Sequence, residues 1–331
     1  MKRILALLLL PLFCLVLSCC GNADGALRKV RVNEVTHSVF YAPFYAAIAL
    51  GYFEEEGLEI ELTNGGGSDK SMTAVLTGDA EIGLMGPETA VYVAKEGKSD
   101  PVMVIGQLTK RDGSFLLGKE ADPDFSFEKL RGKSVIGGRS GGMPQMTLTH
   151  VLKEHGLRDG ENVTVRTDVQ FDLMGGAFLA GEDDYVTMFE PSASAMEMEG
   201  EAAIVASVGE AAGEVPYTCF MMKKSALEKD PELAEAFLRA LARGQKWIHE
   251  ETPEAIARAI ASAFPASDEA LLARVAERYR EIDVWNETPV MKEEAYESLI
   301  AIITEAGVID EAPAFDAVVT NAYAGKAVMT P

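Results

Sequence analysis

The feature that most restricts this 331-residue chain is an order of elements that occurs twice. VRVNEV (30–35) alternates in the two-residue period of a strand. SVFYAPFYAAIALGYFEEEG (38–57) predicts an Ala-rich helix stopped at Gly57, a residue suited to a left-handed helix end. LEIEL (58–62) is a second strand by its alternation; after TNGGGSDK, SMTAVLTG (71–78) predicts a short helix and AEIGLM (80–85) a third strand. Gly86, Pro87 and Glu88 then open another helix, because Pro in a first turn gives up no needed N–H and Glu suits the positive helix end. The order returns in KSVIGG (133–138), MPQMTLTHVLKEHG (143–156), NVTVRT (162–167), DLMGGAFLAG (172–181) and DYVTMF (184–189). Gly57 and Gly156 stand 99 residues apart, Gly78 and Gly181 103. Two βαβαβ units, each needing right-handed crossovers and a covered parallel sheet, predict an α/β protein of two similar lobes. From Asp230 the chain reads as four amphipathic helices, the first two opening Asp-Pro-Glu and Thr-Pro-Glu; packing explains them and no chemistry is assigned there.

The first twenty residues differ. Lys2 and Arg3 precede ILALLLLPLFCLVL, the charged start and short apolar stretch of a secretory signal, too short to remain as a spanning helix. The small residues that would mark a cut run into cysteine, as LSCCGN, which resembles a bacterial lipobox. Leu17 three residues earlier favours Cys20 as the lipidated first residue, with Cys19 as the alternative. Residues 1–20 are then signal and anchor, and 21–28 a polar tether. Removing Lys2 and Arg3 leaves 28 basic against 52 acidic side chains, a balance that repels phosphate backbones and excludes nucleic acid as a partner. Beyond the signal and anchor only Cys219 remains, so neither a disulfide framework nor a thiolate metal cluster is available.

Residues 135–152, VIGGRSGGMPQMTLTHVL, pose a phosphate-loop question. Gly137 and Gly142 have the G-x-x-x-x-G span, but Met143 and Pro144 follow where Lys and Ser/Thr are required, and no three glycines fit the dinucleotide spacing. What remains is a strand-to-helix turn whose backbone N–H groups face a ligand. His37, His150, His155 and His249 form no metal-binding spacing, and no G-x-S-x-G elbow is present. No cofactor, metal or catalytic residue is predicted.

Candidate binding residues gather where strands end. In the first half they are His37, Phe40, Tyr41, Asn64, Met85 and Glu88. In the second they are Arg139, Ser140, Gly141, Gly142, Met143, Phe171, Phe189 and Glu190, with Tyr217 after them. Open α/β sheets bind ligands at the carboxyl ends of their strands, and this mixture suits a small, partly aromatic ligand between lobes.

YAPFYAAIALGYFEEEGLEIEL, LTGDAEIGLMGPE and LRGKSVIGGRSGGMPQMTLTHVLKEHGL resemble the solute-binding lipoproteins of ABC importers, in the group serving nitrate, sulfonates, taurine and thiamine-pyrimidine precursors. Ala47 to Leu58 carry the most specific part of the likeness. The resemblance implies a type II periplasmic-binding-protein-like fold, two α/β lobes joined by two crossing strands with a helical C-terminal region. It places lobe 1 at 29–118 plus 225–331 and lobe 2 at 119–224. It further implies a monomer held to the outer face of a membrane by lipid, a ligand buried between lobes, and a permease with its ATPase as partners. A carboxylate at Glu190 favours an aminopyrimidine, thiamine-like or other heterocyclic nutrient, with Phe40, Tyr41, Phe171 and Phe189 stacking on the ring. Arg139 and Ser140 leave a small anion as the alternative. A pyrimidine-precursor-synthase-like enzyme is disfavoured because its cysteine-rich motif is missing.

Overall fold

A computed structural model describes residues 26–329; the signal, the Cys19/Cys20 anchor and most of the tether lie outside the described residues. Ten strands follow in chain order: β1 (Arg28–Glu34), β2 (Leu58–Asn64), β3 (Ile82–Met85), β4 (Val102–Thr109), β5 (Ser114–Gly118), β6 (Ser134–Ile136), β7 (Thr164–Arg166), β8 (Tyr185–Phe189), β9 (Ala203–Ser207) and β10 (Thr218–Lys223). They form two five-stranded sheets, ordered β2-β1-β3-β10-β4 and β7-β6-β8-β5-β9. In each, the three strands of the predicted repeat run parallel, and a fourth, antiparallel strand enters beside the third. That antiparallel strand arrives from the other lobe. The chain thus crosses twice, at 110–113 and 214–217.

The predicted lobe boundaries therefore fall one strand late. β5 pairs with β8 and β9 in the second sheet, and β10 pairs with β3 and β4 in the first. SFLLG and TCFMMK are apolar runs without a local mark of which sheet they join, since pairing partners are chosen over long range.

The helix predicted over 38–57 is in three pieces. A 3-10 turn at Val39–Tyr41 leads into Ala42–Ala49, and Gly51, at φ +76°, breaks the chain before Tyr52–Glu55. Gly57 and Gly156 both take the left-handed conformation foreseen for them, at φ +76° and +68°. Gly181 does not, at φ −99°; it is crowded instead, since a Cβ there would lie 2.6 Å from the Ala177 carbonyl oxygen.

Alternation along β5 divides the second lobe's packing. Leu116 faces Leu148, Val151 and Val165, whereas Phe115 and Leu117 join the larger apolar core that continues into the first lobe through Phe40 and Phe44. The longest C-terminal helix, Pro231–Glu250, is capped by Asp230, whose carboxylate accepts from the Leu233 amide at 3.2 Å. It lies tightly on Ala42–Ala49: Gly244 faces the Pro43 carbonyl, leaving no space for a side chain. Among the described residues no helix is long and apolar enough to cross a membrane.

Candidate functional site

Aromatic rings run without a break from one lobe to the other. The turn after β1 is fixed by Ser38, whose hydroxyl accepts from the Phe40 amide at 3.2 Å and donates to the Glu190 carbonyl of the other lobe at 3.1 Å. This points Phe40 into the junction. Its ring centroid lies 5.8 Å from those of Phe189 and Tyr217, both edge-on, and Phe171 lies 5.7 Å beyond Phe189. These separations are in the range of favourable aromatic pairs. The Phe40 ring also rests on the first crossing segment at Gly113, where a Cβ would strike it.

Behind the rings are buried acids. Glu88 opens the helix Glu88–Lys95 at the end of β3, and its Oε2 has no hydrogen-bond partner; burial pushes its carboxyl up to about 7. Asp112 lies on the first crossing segment. Its Oδ1 accepts from the Ser114 amide at 2.6 Å while Oδ2 is unpartnered, and burial pushes this carboxyl up to about 6. Tyr217, on the second crossing segment, faces Asp112 closely enough for each to affect the other's titration. Its Oη and Asp112 Oδ2 nevertheless fall short of hydrogen-bond geometry, so both atoms are left without a partner. Burial, Asp112 and Glu88 together hold the Tyr217 hydroxyl well above its ordinary range. Burial and Glu34 do the same for Tyr41.

Glu190, expected to meet a ligand ring, is engaged within the protein. Its Oε2 accepts from the Ser194 amide at 2.8 Å and Oε1 from the Ser194 hydroxyl at 2.7 Å, holding the first turn of the helix Ser192–Met198. Arg278, from the helix Glu269–Glu281, reaches Oε1 at 3.1 Å and Glu197 Oε2 at 2.6 Å. Glu190 is a carboxylate neutralised by a guanidinium, which removes the reason to assign it an aminopyrimidine. Burial works against the Arg278 charge, but Glu197 and Glu190 more than offset it, and its pKa is raised.

The other predicted residues separate by depth. Tyr41, Met85 and Met143 are buried, the Met85 thioether folding back over Gly83. His37 stands aside from the rings: its Nδ1 meets Glu34 at 2.9 Å, its Nε2 meets the Ala263 carbonyl at 2.7 Å, and it stacks on Phe264. Asn64 is exposed and caps its own turn, accepting from the Gly66 amide at 2.8 Å. Arg139, Ser140 and Gly141 are exposed. Three amides of the glycine loop bond within the protein: Gly137 donates to Arg166 O, Gly141 to Gln145 Oε1 and Gly142 to Arg139 O, at 2.9, 3.1 and 3.2 Å, so these three do not face a ligand. Sequence reasoning missed Asp112, Arg278 and Tyr279, whose hydroxyl accepts from the Glu190 amide at 3.2 Å and donates to the Gly113 carbonyl at 3.3 Å. An acid in RDGS between two apolar runs was the one available signal for Asp112. Among the described residues no three His, Cys, Asp or Glu side chains are arranged to hold a metal ion.

Comparison with known proteins agrees with this architecture. The sequence model described as NMT1/THI5 like matches residues 39–255. YtlA of Bacillus subtilis (strain 168), a protein named only as a binding protein, is 38% identical over 303 residues, covering 92% of this chain and 91% of its own. The alkanesulfonate-binding protein SsuA of Xanthomonas axonopodis pv. citri, solved with MOPS, superposes with a TM-score of 0.69 at 15% identity, over 89% of this chain and 99% of that one. The nitrate-binding protein NrtA of Synechocystis PCC 6803 gives 0.70 at 13% identity, over 92% and 89%. At such identities the structural matches speak for the fold.

Proposed function

The chain belongs to the NMT1/THI5-like family, and on that premise we propose that it is the extracytoplasmic solute-binding component of an ABC importer. It holds a small heterocyclic nutrient, of the thiamine-pyrimidine-precursor kind, between its lobes. The protein is anchored outside the membrane by lipid on Cys20 or Cys19 and hands its ligand to a permease as a monomer. The observation that carries the ligand class is the ring series Phe40–Tyr217–Phe189–Phe171 spanning the junction, which a flat heterocycle can enter by stacking once the lobes part. Family and neighbours favour binding over catalysis.

A small anion is the second reading, favoured by the sulfonate and nitrate binders among the structural matches. Against it, Arg139 and Ser140 are exposed, and a buried anion needs charge or donors that reach it. Thermal denaturation of the purified domain with hydroxymethyl-aminopyrimidine, thiamine, an alkylsulfonate and nitrate separates the two. A ligand at a hundred times its Kd adds roughly 2.7 kcal/mol of stability. A shift with the anions alone overturns the heterocycle.

A further inference from the structure

One residue of the second lobe is gripped on every side by the first. The Glu190 carbonyl accepts from the Ser38 hydroxyl at 3.1 Å, its amide donates to the Tyr279 hydroxyl at 3.2 Å, and its carboxylate meets Arg278 at 3.1 Å. Arg278 continues to the Ser194 hydroxyl at 2.5 Å and to Glu197 at 2.6 Å, both on the helix that follows Glu190. Ser38, Glu190, Arg278 and Tyr279 are all buried, so no water stands ready to replace a bond that breaks.

Both sides of the grip are firmly seated. Arg278 and Tyr279 lie on the helix Glu269–Glu281, which packs on Pro253–Ile260 and through it on Ala42–Ala49. Directly after that helix the chain is tied to the first lobe: the Lys110 amide donates to the Val284 carbonyl at 2.8 Å and the Asn286 amide to the Leu108 carbonyl at 3.0 Å. On the other side Phe189 pairs with Ser114, the first residue beyond the first crossing segment, and the Tyr279 hydroxyl also donates to Gly113 of that segment at 3.3 Å. Glu190 therefore stands beside the axis about which the lobes turn. Travel there is short, but hydrogen bonds fail with small changes of distance and angle, and bonds that leave one residue in different directions cannot all follow one rotation. A second ionic contact between the lobes joins Glu305 to His150 at 2.6 Å and to Lys153 at 3.4 Å; it is partly exposed, and such pairs contribute little.

Resting on the solute-binding reading above, we propose that Glu190, gripped by Ser38, Arg278 and Tyr279, is a built-in catch that keeps the empty protein closed and sets how often the lobes part. A solute enters only while they are apart, so the catch scales entry by the open fraction. It acts on every solute alike and leaves the choice among them to the rings.

Small-angle X-ray scattering of the ligand-free protein tests this, with circular dichroism to confirm folding. Wild type, Arg278→Met, Tyr279→Phe and Glu305→Gln are compared. The expected wild-type curve is that of the closed structure. Arg278→Met shifts the radius of gyration upward, and Glu305→Gln leaves it in place. Tyr279→Phe removes one hydroxyl while keeping the ring among Phe40, Phe115 and Trp285; its smaller upward shift keeps the proposal falsifiable if Arg278→Met does not fold. A wild type that scatters as an open form, folded variants of Arg278 and Tyr279 that scatter as wild type, or an equal shift from Glu305→Gln overturns the catch. None of these touches the solute-binding reading, which the thermal denaturation above decides without reference to the variants.

Discussion

Arg278 of one lobe and Glu190 of the other form an ion pair at 3.1 Å with both side chains buried, the acid fully and the guanidinium 8% exposed. The pair joins the helix Glu269–Glu281 to the end of β8. Losing one partner of such a pair strands the other's charge, which costs about 3–5 kcal/mol. Arg278→Ala is expected to lower stability by that order, and Glu190→Gln by less because it keeps an acceptor for Ser194. Chemical denaturation measures both. Since Glu190 is engaged, Glu190→Gln should leave the ratio of amino to desamino pyrimidine affinity unchanged; a tenfold loss specific to the amino compound would return Glu190 to the binding site.

His37 faces two acceptors, the Glu34 carboxylate and the Ala263 carbonyl, which both ring nitrogens serve as donors only when the ring is protonated. The hydrogen bond to Glu34 raises its pKa above the ordinary 6.5. Its contribution is fully present below about pH 6.5 and is lost as pH climbs through the raised value. The melting difference between wild type and His37→Gln should be largest near pH 6 and shrink toward pH 9. A difference constant across that range would mean that the ring serves by stacking on Phe264 alone.

Glu88 and Asp112 carry the same sign by another route. Their folded pKa values, raised to about 7 and about 6 by burial, stand above the unfolded ones of 4.5 and 3.8. Their stabilities relative to neutral substitutes are therefore best in acid and fall as pH rises through 6 to 7. At pH 8, Glu88→Gln or Asp112→Asn should raise the unfolding free energy of the ligand-free protein by on the order of 1–3 kcal/mol. Variants less stable than wild type at pH 8 would contradict the uncompensated-charge account.

Gly244→Ala tests the helix contact. Alanine improves helix propensity by about 1 kcal/mol, but its methyl would press on the Pro43 carbonyl and lie 2.8 Å from Ala47 Cβ. Overpacking against backbone costs about 1–3 kcal/mol and outweighs the gain. Net destabilisation in urea is the expected outcome; an unchanged midpoint would show that the helices part at no cost.

The repeat was legible because its signals are local. Period-two alternation marked β1 and β2, and glycines at 57 and 156 had to stop helices wherever the lobes lie. β4, β5, β9 and β10 gave no such mark: VMVIGQLT is buried at every position and has no period to read. The aromatic members of the site were legible as strand-end residues. The role of Glu190 was not, because the guanidinium that neutralises it lies 88 residues further along the chain. The role of His37 was hidden for a related reason, its carbonyl partner being 226 residues away. Only folding adds those partners.

The twofold crossing also orders the protein's assembly in time. Every strand of the second sheet lies between residues 114 and 207, so that sheet is complete in the chain before β10 is made. The first sheet is begun earlier, yet β10 must enter between β3 and β4, which have no direct pairing to hold them together beforehand. During synthesis, the lobe begun first is therefore finished last, and until then its nascent edges are open to pairing with other chains or to a chaperone.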